Sequence, residues 1–181
     1  MPTTLWDFSL ETYRRPGVEE ACLKLQGELG ADVNMLFYCC WRGEFVAGEM
    51  GALLAELAPW QDGVLRGLRT VRRTLKPMLA ELRDLSEPVA GLRRKVAALE
   101  LEAEKLQQDM LTRHAEEYAK DAPPSAHAAV QNLKQYLRCL TNAPDRNAVN
   151  GLETLIEAAF SNAPRGDVKA ALAMLNQIME T

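Results

Sequence analysis

Between Asp32 and Trp41 the chain reads Asp-Val-Asn-Met-Leu-Phe-Tyr-Cys-Cys-Trp, and beyond Asn34 it offers almost no polar face. A helix that is apolar all round must be covered on every side, so this stretch predicts a central helix wrapped by others. A run this short is also compatible with a strand. The flanks decide for a helix, because both carry apolar residues at helical spacing. Asp32 suits the N-cap, where its carboxylate accepts from exposed backbone N–H groups, and Gly30 suits the end of the preceding helix.

The helical pattern extends along the chain. Leu5 to Arg15 predicts a first helix, with Thr3 or Thr4 as cap. Val18, Ala21, Cys22, Leu25 and Leu29 form the stripe of a second. A short helix is expected from Met50 to Leu57. Another should begin at Pro59, with Trp60, Val64, Leu68, Val71 and Leu75 on its inner face. Pro77 and Pro88 bracket a brief helix. The longest element is expected over residues 87–120, where apolar residues recur by threes and fours. Val89, Val96, Ala103 and Met110 take the a positions of a heptad, and Leu85, Leu92, Leu99 and Leu106 the d positions. The pattern fails at Arg113 and Glu117. Pro123-Pro124 reads as a linker, followed by three short amphipathic helices separated by Asn-Ala-Pro turns at 142–144 and 162–164. No segment alternates in the manner of a strand. The expectation is an all-α, multi-helix bundle around a buried central helix, with one long heptad-patterned helix. Residues 1–121 would form the bundle and 125–181 a C-terminal three-helix segment packed on it or appended.

Three strings, Leu5-Trp-Asp-Phe-Ser-Leu-Glu-Thr-Tyr13, Gly17-Val-Glu-Glu-Ala-Cys-Leu-Lys-Leu-Gln26 and Asp32-Val-Asn-Met-Leu36, resemble a family of small proteobacterial helical proteins of unknown function. The likeness covers roughly residues 1 to 120. It implies a soluble bacterial helical protein and carries no site residues with it.

Little in the sequence points to chemistry. The two histidines, His114 and His127, stand on opposite sides of the Pro-Pro break, and neither has the Glu three residues before it that a di-iron bundle requires. Adjacent Cys39 and Cys40 diverge on a helix and make a poor chelating pair. There is no glycine-rich phosphate loop and no nucleophile elbow. No metal and no cofactor is implied, and the balance is against an enzyme. The four cysteines, none in a Cys-x-x-Cys pair, fit reduced thiols in a cytoplasm. A net charge of −4 gives no global case for nucleic acid, and no apolar run approaches a membrane span.

Two sets of residues remain as candidates. Asn34, Tyr38 and Arg42 follow one another at i, i+4 spacing and make a polar column on the central helix. With Asp32 and Trp41 they would either line a pocket for an anionic or carbonyl-bearing ligand, or join an internal network with acids such as Asp7 or Glu11. Arg66, Arg69, Arg72, Arg73 and Lys76 make a basic stripe with no acid between them. That stripe is either a solvated, ion-paired face or a surface for an acidic partner. The favoured function is a non-enzymatic helical interaction or adaptor protein with an unknown protein partner. Val89, Leu92, Val96, Leu99 and Leu106 are available for a coiled-coil homodimer, in which Lys95 could meet Glu100 of a parallel copy. The alternative is a small-ligand-binding or enzymatic bundle with its pocket beside the Asp32–Arg42 helix.

Overall fold

A computed structural model describes residues 4–118, 123–140 and 144–176. Thr3, the far end of the long helix at Lys120, Asn142 and Ala143 of the first Asn-Ala-Pro turn, and Ile178 of the last apolar stripe lie outside them. Among the described residues the regular elements are helices, without a strand: α1 (Leu5–Tyr13), α2 (Val18–Leu29), α3 (Val33–Trp41), α4 (Glu49–Pro59), α5 (Arg66–Glu81), α6 (Ser86–Glu117), α7 (Ala126–Arg138), α8 (Arg146–Ala159) and α9 (Arg165–Asn176). No helix among them is long and apolar enough to cross a membrane.

The chain forms two compact units, one of residues 1–51 and 111–181, the other of residues 52–110. The helices after Pro124 therefore share a unit with α1 to α3, and the division expected near residues 121–125 does not coincide with this one. The physical reason lies in α3. Asn34 through Cys40 are all buried, and so short an all-apolar helix needs cover that α1 and α2 alone cannot supply. α7 packs along α3, α8 packs along α2, and α9 rests on α7 and α8. Gly151 of α8 faces the Leu25 side chain of α2, which a Cβ there would touch at 3.4 Å. Gly30 ends α2 in the left-handed region, at φ +68°, and Asp32 caps α3 by accepting from the Met35 amide at 3.1 Å.

In the second unit two proline expectations fail. Pro59 does not begin a new helix. The chain runs helically through it and opens into a π-helical turn over Trp60–Leu65, a geometry that accommodates the hydrogen bond proline cannot make. Pro77 lies inside α5, and a single 3₁₀ turn at Arg83–Leu85 replaces the expected brief helix. The wide turn inserts a residue's worth of phase. Leu65 becomes fully buried and Val71, expected inside, is exposed.

The thiols divide by burial. Cys22, Cys39 and Cys40 are buried and Cys139 is exposed. Burial pushes the Cys22 thiol up to about 12 and raises Cys39 and Cys40 as well, so none of the three is available as a thiolate nucleophile.

Candidate functional site

Of the residues expected on the α3 column, Tyr38 and Arg42 meet, and further partners arrive from other parts of the chain. Arg42 follows the last turn of α3 in extended backbone, its amide bonded to the Tyr38 carbonyl at 3.1 Å. Its guanidinium turns back over Tyr38, donating from Nη1 to Tyr38 Oη at 3.1 Å and to His114 Nδ1 at 3.1 Å. Nη2 reaches the Tyr118 carbonyl at 3.3 Å. Glu49, in the first turn of α4, completes the cage. Its Oε1 pairs with Arg42 Nη1, and its Oε2 accepts from the Val46 amide at 2.9 Å. Phe45 lies 4.4 Å from the guanidinium carbon, and the His114 ring stacks on Tyr118 with centroids 4.6 Å apart.

The arrangement fixes protons. Arginine has no acceptor, so His114 Nδ1 must accept, and the ring proton sits on Nε2, the nitrogen that looks toward Glu49 Oε1 at 3.8 Å. Tyr38 Oη lies 2.9 Å from the same Nδ1 and accepts from Arg42. Burial raises the Tyr38 phenol well above its ordinary value, against the opposing pull of Arg42. Tyr38, Arg42, Glu49 and His114 are all buried. The four groups pair with one another.

A second buried group holds the chain that leaves α3. Asn132 on α7 is fully buried. It donates to the Cys39 and Gly43 carbonyls, each at 3.0 Å, and accepts from the Phe45 amide at 2.9 Å. Tyr136, one turn on, accepts from the Asp32 amide at 2.7 Å. Asp32 thus acts as cap and anchor. Asn34 is buried on the same helix. Trp41 is the column's neighbour that reaches open space. With Arg42 it borders a cleft of about 320 Å³ shared with Gly43, Glu44 and Glu116, and it also borders a larger one of about 640 Å³ lined in part by Phe8, Thr12, Arg15, Cys40 and Phe160. Glu44 and Glu116 on the smaller cleft oppose an anionic ligand there, and Arg42 already carries its counter-charge.

The basic stripe lies in the second unit and its inner half is also engaged. Arg72 forks onto Glu100, with Nη2 to Oε1 at 3.1 Å and Nε to Oε2. Arg69 reaches Glu104 at 2.8 Å and Glu100 at 3.4 Å. Trp60 donates its indole N–H to the Ala103 carbonyl at 3.2 Å. These contacts tie the segment from Trp60 to Arg72 to residues 100–104 of α6. Arg66 pairs only with Asp62 on its own helix, both exposed, and Arg73 and Lys76 are exposed. Burial pushes the Glu100 carboxyl up, but the hydrogen bond from Arg72 and the charges of Arg72 and Arg69 outweigh it and hold the group below its ordinary 4.5. A lowered folded value means stabilisation that is present above 4.5 and lost as pH falls through the folded value. Acid is therefore expected to loosen residues 52–110 below about pH 4.5. Glu100→Gln should remove that part of the acid response, as read by hydrogen exchange in α5 and α6. An unchanged profile in Glu100→Gln would refute the assignment.

The same pairing decides which side of α6 is open. Val96, Glu100, Ala103 and Gln107 are buried, and the d leucines are not: Leu85 is 54% exposed, Leu92 50%, Leu99 51% and Leu106 51%. Of the five residues offered for a homodimer, Val96 is thus covered within the chain and Val89 partly so, while Leu92, Leu99 and Leu106 stand open. Glu100, the expected mate of Lys95, is taken by α5.

A family model described as a protein of unknown function, DUF2390, matches residues 4–111. The chain belongs to the DUF2390 family. No curated protein and no solved structure matches it. The family's span contains Tyr38, Arg42, Glu49 and the whole leucine row. His114 and Tyr118, which meet Arg42, and Asn132, which holds the chain leaving α3, come from beyond it. Sequence reasoning missed these last three and Glu49. The usable hint for His114 and Tyr118 was the loss of the apolar repeat around Arg113, which marks where α6 changes neighbours.

Proposed function

We propose that this member of the DUF2390 family is a non-enzymatic interaction protein that receives a partner helix on the leucine row of α6. The observation that carries the reading is the row itself: Leu92, Leu99 and Leu106 of α6 at seven-residue intervals, continued by Leu85 in the turn before it, each about half exposed. Burying apolar area of this kind is the ordinary driving force of helix pairing, and a contiguous exposed row marks an interaction surface more often than scattered residues do. The mutual pairing of Tyr38, Arg42, Glu49 and His114 supports the same reading. Arg73 and Lys76, exposed beside the engaged arginines, remain as residues that an acidic segment of the partner would meet.

The test is a photoreactive residue placed at position 99 or at position 101 and activated in cells. Leu101 is equally exposed, at 54%, but lies about 160° around the helix from the row at 100° per residue. Crosslinked products from position 99 and none from position 101 are expected. Equal yields from the two positions, or none from 99, would overturn the reading.

A second reading has one observation in its favour. The cleft beside the end of α3, with Phe8, Trp41 and Phe160 on its wall, has the size and apolar character of a small-ligand site. A naphthalene-sulfonate dye that quenched Trp41 in the native protein, and lost that effect in Phe160→Glu, would support it. Absence of quenching would remove it.

A further inference from the structure

We propose that the helix received by the leucine row is α6 of a second copy of this chain, running antiparallel with a two-fold axis at Leu99. The inference rests on the interaction reading above and names its partner.

The argument comes from what flanks the row. On one side of Leu92, Leu99 and Leu106 lies the buried face of α6, where Glu100 is held by Arg72 and Arg69. On the other side lie Lys95, Glu102 and Asp109, all exposed. In a parallel pair the exposed flank of one helix faces the buried flank of the other, so Lys95 would seek Glu100, which is already engaged. In an antiparallel pair with its axis perpendicular to the helices, the two exposed flanks lie on the same side and face each other. An axis at Leu99 then sets Leu99 against its own copy and Leu92 against Leu106 on both sides. It also brings Lys95 opposite Glu102 of the second copy, twice by symmetry. The leucine contacts and the charge order are satisfied by the same register. A two-fold contact requires a surface complementary to itself, and a row with a basic residue on one side of its centre and an acidic one on the other has that property. The core of the contact, Leu92 to Leu106, spans about 21 Å of helix at 1.5 Å per residue. A seven-residue row drifts around a straight helix by about 20° per repeat, so the pair should coil left-handedly.

Sedimentation equilibrium on the full chain over the micromolar range tests this. The wild type should be a monomer–dimer system. Leu99→Glu should be monomeric, with the melting temperature of the wild-type monomer, since the site is half exposed. Lys95→Glu sets like charges against each other on both sides of the axis and should weaken association about tenfold. Adding Glu102→Lys should restore it to near the wild-type value. A wild type that stays monomeric overturns the self-pairing while leaving the interaction reading to the crosslinking result. A dimer unaffected by Leu99→Glu, or a charge-reversed double variant that fails to regain association, overturns the proposed register.

Discussion

Arg42→Met is expected to cost about 3–5 kcal/mol of stability, because it leaves the Glu49 carboxylate buried without its counter-charge. The arginine is the hub of the cluster. Tyr38, His114, Tyr118 and Glu49 all direct an acceptor at it. Removing one member of a buried pair is far more damaging than removing both. The double variant Arg42→Met, Glu49→Leu should therefore recover most of the loss. Urea unfolding of the wild type, the single and the double variants measures this. A single variant within about 1 kcal/mol of wild type would mean that water reaches the guanidinium. A double variant no better than the single would mean that the ion pair is not the main term.

Phe37→Ala is expected to be comparably damaging, at about 3–5 kcal/mol for the large cavity left by an aromatic side chain in a filled interior. Phe37 is 2% exposed and meets the edge of Tyr13 at a centroid distance of 6.2 Å. It lies between buried Leu36 and Tyr38 on α3, with little freedom to collapse around the gap. Leu36→Ala offers a check on the same helix and should fall in the lower part of the Leu→Ala range, about 2–5 kcal/mol. A Phe37→Ala protein with unchanged unfolding midpoint would remove α3 from the centre of the fold.

The centrality of α3 was legible because an apolar run leaves few physical options. Its column was legible too, since i, i+4 spacing is a property of the helix alone. The partners were not. Asp7 and Glu11 were the acids expected to join the column, yet Asp7 bonds Thr4 and Glu11 pairs with Arg15. Glu49 and His114 enter through tertiary packing, which local pattern does not encode. The long helix shows the same limit in another form. Its heptads identified two apolar rows but not which of them the chain would cover. That was decided by the phase shift at Trp60–Leu65 and by the two arginines that draw Glu100 inward. Pro59 and Pro77 misled because a proline predicts a missing hydrogen bond and a restricted neighbour, not the end of a helix.

The order in which the chain is made gives the covering of α3 a timescale. The Cys39 carbonyl is held by Asn132, 93 residues later. At bacterial or eukaryotic synthesis rates of about 5–20 residues per second, α3 leaves the ribosome on the order of 5–20 s before α7 exists to cover it. During that interval a nascent chain carries Met35, Leu36 and Phe37 without the cover that α7 gives them in the finished fold.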